Sequence, residues 1–476
     1  RLDLFKSYYY ARLLIFLLLP LIILAQKSVW LPSQMRPHLL MDTDVRWVLV
    51  YYHSDLSDTP VSINMHENPL TFGQLEQISF NLDWEKSTIT DNVLFGETFG
   101  VGSQLSIAVE RVLDKKIFSF GLTPQLLASS ENESSPSLST WIQVNPFTKL
   151  SLVNEMVVSL HGSSGGQYIG KEWQGLTAYT RQAYLTYLHE LHPDKKISSL
   201  IKAGRFYTYF GPGRTGQLFL GQTTRPLDML LVRLGLFGLT YSGGAAQLNR
   251  SKEINRYLSY HRLEFRSKRY QLAISEGILY GGENRRFEWS LSNPMLFFYG
   301  EQVNGPNLNG NILVSMDSRI FLSKNISLYG EFMIDDFQFD HEEIEDLEPN
   351  ELGLITGLDL AISSSYVGLE YVKLTNRTYK TEMLYESYYH RGEPIGYNMG
   401  SDLKRVNAFV RHYLSSSIRL DVTIDVIWQG EGETDIPWDA PWRFQTLEEG
   451  YSEISPTGIV EQTSTFKASI TRKWTP

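Results

Sequence analysis

Residues 418–428 read Ile-Arg-Leu-Asp-Val-Thr-Ile-Asp-Val-Ile-Trp, and this stretch decides the fold. Its even-numbered side chains are all apolar, and its odd-numbered ones are mostly polar. Successive side chains of a β-strand point to opposite faces, so this period of two predicts a strand with one apolar and one polar face. The apolar set is Ile418, Leu420, Val422, Ile424, Val426 and Trp428, and the other set is Arg419, Asp421, Thr423, Asp425 and Ile427.

The same alternation recurs from about residue 104 onward. It is clear at 270–280 and 466–474, and less regular at 326–334, 352–362 and 403–414. A soluble antiparallel sheet also alternates, with its apolar face in a core, so the pattern alone leaves two architectures open.

The lengths of the connections separate the two architectures. Short turns are expected at 113–116, 192–196, 266–269, 322–325, 362–365 and 414–417, and long intervals at 281–309, 336–350, 375–402 and 429–461. Short turns at one end and long loops at the other are typical of outer-membrane barrels. We therefore predict an all-β protein, an outer-membrane antiparallel β-barrel of about sixteen to eighteen strands, with both termini on the short-turn, periplasmic side.

The composition fits this class. The 476 residues include 27 Tyr, 24 Phe and 10 Trp but no cysteine. Aromatic girdles at the membrane interfaces would use many of these rings. The absence of cysteine excludes a disulfide scaffold, thiolate metal sites, a cysteine nucleophile and a lipoprotein anchor.

The N-terminal residues predict export. Arg1, Lys6 and Arg12 precede an apolar run from Leu13 to Leu24 that ends at Ala25, which is the pattern of a cleaved secretory signal peptide. An anchor helix is the alternative, although 12 apolar residues are short for a membrane span.

Removing residues 1–25 changes the net charge from −10 to −12, which argues against nucleic acid as a partner. Helical spacing at 39–56 predicts a helix, so we divide the chain into a signal peptide (1–25), a periplasmic helical segment (26–72) and the transmembrane barrel (73–476).

Three motifs are weak evidence for chemistry. Residues 211–216, Gly-Pro-Gly-Arg-Thr-Gly, fit G-x-G-x-x-G, but no helix pattern follows to bind a pyrophosphate, so a tight loop is expected. The acidic run 335–351 lacks the spacing of a calcium loop and is expected to be a solvated loop, with divalent-cation binding as the alternative. No zinc or nucleophile motif occurs, so we expect no catalytic residues, no metal and no cofactor.

Two predicted loops carry aromatic and charged residues of the kind that bind sugars. Residues 429–444 interleave Trp438, Trp442 and Phe444 with Asp439 and Arg443, and a second long loop carries Arg285, Arg286 and Trp289. With Arg214, these are the candidate polysaccharide-binding residues. An interfacial girdle or a plug packed into the barrel mouth is an equal alternative for the aromatic residues.

Several blocks together resemble the Wzi family of capsule-assembly proteins over roughly 170–475. The blocks are Gly204-Arg205, Gly211-Pro-Gly213, 260–264, 328–331 with 335–337, 369–371, Thr378-Tyr379, 388–392 and 394–402. In the last block, Tyr397 and Ser401 stand where the family pattern has His and Pro.

The resemblance implies an 18-stranded outer-membrane barrel, plugged at its periplasmic end by helices, that acts as a lectin for capsular polysaccharide and is not an enzyme. The expected partners are capsular polysaccharide or exopolysaccharide, together with outer-membrane lipid and lipopolysaccharide, and the expected state is a monomer. A porin or channel is the competing hypothesis, in which Arg405, Arg411, Arg419 and Lys467 would line a wet pore.

Overall fold

The computed structural model describes residues 135–472, apart from 148, 161–172, 193–196, 222–224, 251–252, 268, 294, 305–308, 324, 339–341, 363, 416–417 and 435–438. Before residue 135 it describes the strand segments 99–100, 104–108, 111–114 and 118–129. The signal peptide and the helical segment predicted from the sequence lie outside the described residues.

The described residues are mostly β-strand. The strands are β1 (Phe99–Gly100), β2 (Gln104–Ala108), β3 (Arg111–Asp114), β4 (Phe118–Ser129), β5 (Ser135–Phe147), β6 (Leu150–Leu160), β7 (Leu176–His192), β8 (Ile197–Phe206), β9 (Leu227–Leu236), β10 (Leu239–Gln247), β11 (Ile254–Arg266), β12 (Tyr270–Glu283), β13 (Asn311–Ser323), β14 (Ile326–Asp336), β15 (Glu351–Ile362), β16 (Ser365–Leu374), β17 (Tyr389–His390), β18 (Glu393–Pro394), β19 (Leu403–Ser415), β20 (Ile418–Gln429) and β21 (Glu461–Arg472).

Short helical elements occur in the loops. They are the helix α1 (Phe298–Asn304) and 3-10 turns at Ser290–Ser292, Glu345–Leu347, Leu384–Glu386 and Pro441–Phe444. Within the described part of the chain, no helix is long and apolar enough to cross a membrane.

The strands form one antiparallel sheet in chain order. From β4 to β16, each strand pairs with the next one along the chain, and β16 pairs with β19 because β17 and β18 form a separate hairpin. At the edges, β1 pairs with β2 and lies beside the last strand, β21. The predicted all-β antiparallel architecture is confirmed, and so are the short turns and long loops at opposite ends of the strands.

The two faces of the sheet differ as the sequence pattern predicts. On β15, Leu354 and Ile362 point outward and are exposed, whereas Ile355 and Asp359 point to the opposite face and are buried. That buried face encloses an interior, because side chains from strands far apart in the sheet meet there: Tyr260 on β11 and Val372 on β16 belong to one apolar cluster. The outward face is therefore apolar, and the interior contains both polar and apolar side chains.

Interior charges are paired across the sheet. Arg262 on β11 binds Asp317 on β13, with Nη2 to Oδ1 at 3.0 Å. Its Nη1 also donates a hydrogen bond to Ser275 Oγ on β12, the strand between them. Arg319 on β13 repeats this arrangement with Asp359 on β15 at 2.8 Å. Buried charges are costly unless they are paired, and these ion pairs meet that condition.

Candidate functional site

The segment between β8 and β9 folds into the interior. We call residues 207–221 the inner loop, and most of its side chains are buried, including Phe210, Leu218 and Phe219. Phe210 packs on Tyr260 of β11, with ring centroids 5.3 Å apart, and Leu218 lies within the main apolar cluster. The inner loop therefore fills interior space at the long-loop end of the strands.

Two buried carboxylates on the main sheet, which we call the wall, hold the inner loop. Glu331 on β14 accepts hydrogen bonds from the backbone N–H groups of Gly213 at 2.6 Å and Leu218 at 2.8 Å. Glu370 on β16 accepts from the N–H groups of Arg214 at 2.5 Å and Thr215 at 2.9 Å. Consecutive N–H groups of a glycine-rich loop form an anion-binding concavity, which here is occupied by the protein's own carboxylates. This confirms that residues 211–216 form a loop, and it explains the loop's resemblance to a phosphate-binding motif.

A second segment, residues 375–402, packs over the inner loop. The hydroxyl groups of Tyr379 and Tyr388 donate to the carbonyl groups of Leu218 at 2.5 Å and Phe219 at 2.9 Å. The two tyrosine rings stack with centroids 5.6 Å apart. Together these two segments place apolar side chains and hydrogen-bonded tyrosines in the interior at this end.

Tyr397, which stands where the family pattern has His, links both segments to the wall. Its hydroxyl lies 2.7 Å from Thr215 Oγ1 and accepts a hydrogen bond from Arg405 Nη1 at 3.0 Å. Arg405 also forms an ion pair with Asp425 at 2.7 Å. Burial raises the pKa of Tyr397 to about 12, so its phenol stays protonated at neutral pH.

The arginines expected to line a pore are paired. Arg405 binds Asp425, and Arg411 on β19 binds Asp421 on β20 with Nε to Oδ1 at 2.5 Å. Lys467 lies on β21 and is exposed; the side chain of Arg419 lies outside the described residues. These pairs and the inner loop give an interior that differs from a wide, cation-lined pore.

The loop 430–460 is also held by a buried carboxylate. Asp402 is buried and accepts hydrogen bonds from the N–H groups of Gly432 at 3.0 Å and Thr457 at 2.9 Å. This anchor lies in the sequence block 394–402, so that block fixes the base of a long loop.

The predicted sugar-binding residues of this loop have different environments. Trp442 is fully buried between Arg377 and Tyr451, so its ring is not part of the exposed surface. Asp439 is exposed, and Arg443 binds Glu345 at 3.0 Å on the facing loop 337–350. Next to Arg443, Phe444 is 89% exposed. Trp438 lies outside the described residues.

The remaining candidates lie in two other places. Arg285 binds Glu288 at 2.8 Å and donates to the carbonyl group of Asn309 at 2.7 Å, while Arg286 and Trp289 are exposed beside it. Arg214 belongs to the inner loop and stacks on Phe409 of β19. The structure thus brings the candidates together in two loop groups and one interior position.

The acidic run 335–351 is only partly a solvated loop. Asp335 accepts a hydrogen bond from the N–H of Tyr379 at 2.5 Å and so supports the second segment. Burial, with Asp336 as the second cause, raises the pKa of Glu348 to about 7. In the described residues, no group of three or more His, Asp or Glu side chains has the arrangement of a metal site.

The family model of the capsule assembly protein Wzi matches residues 85–474. The chain belongs to the Wzi family. The predicted family, and with it a capsule-assembly rather than an enzymatic protein, is confirmed. None of the curated proteins matches the sequence.

The structure of a solved Wzi protein supports the same fold class, and two outer-membrane channels match at lower TM-scores. Wzi of Escherichia coli, an outer-membrane protein involved in group 1 capsule assembly and described as a carbohydrate-binding β-barrel, is 15% identical, with a TM-score of 0.56 over 84% of this chain and 88% of its own. The outer-membrane channel DcaP of Acinetobacter baumannii has a TM-score of 0.37 at 9% identity, over 77% and 96% of the two chains. An anion-selective porin of Comamonas acidovorans has a TM-score of 0.37 at 10% identity, over 78% and 99%. The match to Wzi of Escherichia coli, the one of these three with a TM-score above 0.5, shows that the sheet of this Wzi-family chain resembles that outer-membrane β-barrel.

The anchoring carboxylates of this Wzi-family chain are not among the site residues predicted from the sequence. Glu331, Glu370 and Asp402 each lie in a block that carries the family resemblance. The available signal was an acidic residue within a strand, as at Glu331 and Glu370, or at the end of a family block, as at Asp402.

Proposed function

We propose that this chain is an outer-membrane β-barrel that binds capsular or a related surface polysaccharide at its long-loop end and organises capsule assembly there. Membership of the Wzi family supports this proposal. The observation that carries it is the combination of two loop segments packed into the interior with exposed aromatic and charged groups on the long loops around it.

Phe444 and Arg443 are the center of the proposed binding surface. An exposed aromatic ring can stack on the C–H face of a sugar, and the neighbouring guanidinium can hydrogen-bond hydroxyl groups or pair with acidic sugars. Glu345 and Glu382 lie within ion-pair distance of Arg443 and hold it beside the ring. We keep Asp439, Arg286 and Trp438 as further candidate contacts, whereas the buried Trp442 and the paired Arg285 serve to support their loops.

The topology that we propose for the whole chain extends the described part. Because β2 and β3 both pair with β4, the 19 strands of the sheet occupy 18 positions, and contact between β1 and β21 would close the barrel. We place the short turns in the periplasm, residues 26–72 below the barrel as its helical plug, and the signal-peptide cleavage after Ala25. Mass spectrometry of the protein extracted from outer membranes tests the cleavage, with Gln26 as the expected first residue.

The decisive experiment is binding of the purified chain to the capsular polysaccharide of its own strain, measured by isothermal titration calorimetry. We expect Phe444→Ala and Arg443→Ala each to weaken binding by about fivefold, which corresponds to roughly 1 kcal/mol. Ile459→Ala removes an equally exposed apolar side chain from the end of the same loop and should leave binding unchanged.

Planar-bilayer conductance separates the proposed function from a channel. Because the inner loop and residues 375–402 occupy interior space, we expect a conductance far below that of an open porin. A chain that conducts like a porin and does not bind the polysaccharide would contradict the proposal.

A further inference from the structure

The loop between β12 and β13 folds down along the outward face of the sheet. We call residues 284–304 the flap. Leu291 and Phe298 of the flap are buried against Ile278 and Tyr280 of β12 and Ile312 of β13. All three strand residues point away from the interior, since the interior side chains of β12 alternate with them. The flap therefore covers the outside of the wall.

A buried ionic group fixes the flap to the wall. Glu276 on β12 is buried, and its carboxylate accepts hydrogen bonds from the N–H groups of Phe298 at 3.0 Å and Tyr299 at 2.9 Å at the start of α1. His261, its register partner on β11, lies 3.0 Å from the same carboxylate. A carboxylate on the outward face would be costly in lipid, and the flap removes it from that environment.

The outer side of the flap exposes four large apolar side chains, next to polar ones at the end of α1 such as Glu301 and Gln302. Phe297 is 61% exposed, Val303 67%, Trp289 82% and Met295 83%. Such a patch is large for a surface loop that contacts only water.

The position of the flap along β12 identifies what covers this patch. On β15 the outward row runs from Leu352 to Ile362, which corresponds to about 34 Å along the strand and about 25 Å of membrane thickness after the strand tilt. On β12 only Tyr270, Leu272 and Ile274, nearest the short turn, are exposed on the outward face. These span about 14 Å along the strand. The flap covers the next part of the wall, at a depth where β15 still presents apolar side chains.

We propose that the flap is embedded in the outer leaflet and that its exposed apolar side chains contact lipid acyl chains, in continuity with the lipid-facing band of the sheet. The flap replaces the wall as the lipid-facing surface of β11–β13. This inference requires the outer-membrane location but not polysaccharide binding, so the failure of one does not imply the failure of the other.

Because the chain has no cysteine, single-cysteine spin labelling tests this directly. Labels at Phe297→Cys and Val303→Cys, in vesicles of dioleoylphosphatidylcholine, are compared with Leu272→Cys as the lipid-facing reference and Phe444→Cys as the water-facing reference. Electron paramagnetic resonance power saturation then measures how often each label collides with two reagents. These are oxygen, which concentrates in lipid, and a water-soluble nickel chelate.

We expect both flap labels to match the Leu272 label, with an oxygen-to-nickel accessibility ratio at least about tenfold above that of the Phe444 label. Flap labels that match the Phe444 label would overturn the proposal. Labels shielded from both reagents would also overturn it, because a second copy or another protein would then cover the flap.

Discussion

Glu331 Oε1 accepts a 2.6 Å hydrogen bond from the backbone N–H of Gly213, which joins β14 to a loop 118 positions earlier in the chain. The same arrangement recurs at three other contacts of the described loops: Glu370 binds the inner loop, Asp402 the loop 430–460, and Glu276 the flap. A carboxylate can accept several hydrogen bonds, so one acidic side chain satisfies two or more buried N–H groups that no strand partner reaches. We infer that these carboxylates determine the loop conformations.

Glu331→Gln should loosen the inner loop. The amide keeps one acceptor oxygen, so either Gly213 or Leu218 loses its hydrogen-bond partner in a buried site, at a cost of about 1–3 kcal/mol. We expect a lower unfolding temperature by circular dichroism and more frequent opening events in planar bilayers. Glu301→Gln, on the exposed face of α1, is the control and should change neither. An unaltered unfolding temperature for Glu331→Gln would show that the carboxylate is not an anchor.

Gly211→Ala should displace the inner loop. Gly211 has φ +119°, and an added Cβ would collide with the carboxylate of Glu331. Gly392→Ala is the matched control, because its φ is +80° but no atom lies within 4 Å of the added Cβ. The control should lose only the backbone cost of about 1–2 kcal/mol, and Gly211→Ala several kcal/mol more, as measured by urea unfolding. Equal losses in the two variants would exclude the steric explanation.

Asp317→Asn should destabilise the sheet. Arg262 is fully buried and would lose the closer of its two acidic neighbours, keeping Glu264 at 3.3 Å. Breaking a buried ion pair leaves an uncompensated charge and costs about 3 kcal/mol or more. Glu343→Gln, at an exposed position on the loop 337–350, should change the free energy of unfolding by less than about 0.5 kcal/mol. A similarly small effect of Asp317→Asn would mean that water screens the pair.

His390 should make stability depend on pH. Burial, with Arg391 and Arg256 as further causes, lowers the pKa of His390 to about 3, and its Nδ1 accepts the N–H of Asn249 at 3.1 Å. Since the unfolded chain takes up this proton below about pH 6.5 and the folded one does not, this contribution to stability is complete above pH 6.5. It falls by about 1.4 kcal/mol per pH unit as the pH drops toward 3.

Unfolding temperatures measured between pH 7 and pH 4 test this dependence. His390→Gln should reduce the slope, whereas Tyr389→Phe should retain it, because a phenol does not titrate in this range. An unchanged slope in His390→Gln would assign the pH dependence to other groups.

Much of the sheet could be predicted from the sequence because alternation is a local property. The alternation of apolar and polar residues at 270–280 predicted the two faces of β12 correctly. The turn at 266–269 and the long interval after 281 also lie where they were expected. The roles of the aromatic residues could not be predicted. Trp442 and Phe444 lie two positions apart in the same loop, yet one is buried and the other is almost fully exposed. Nothing in the local pattern distinguishes them, since the burial of Trp442 depends on Arg377, from the segment 375–402, and on the way the loop folds back to bring Tyr451 against the ring.

The sequence by itself determined the antiparallel all-β class, the outward and inward faces of the strands and the end of the sheet that carries the long loops, because each follows from side-chain period and connection length. Only the tertiary structure decided where the loops go. Glu331 meets Gly213, and Glu276 meets Phe298, across distances along the chain that no periodicity encodes. These contacts turn two long loops toward opposite faces of one wall, because buried backbone N–H groups must find acceptors wherever the fold provides them.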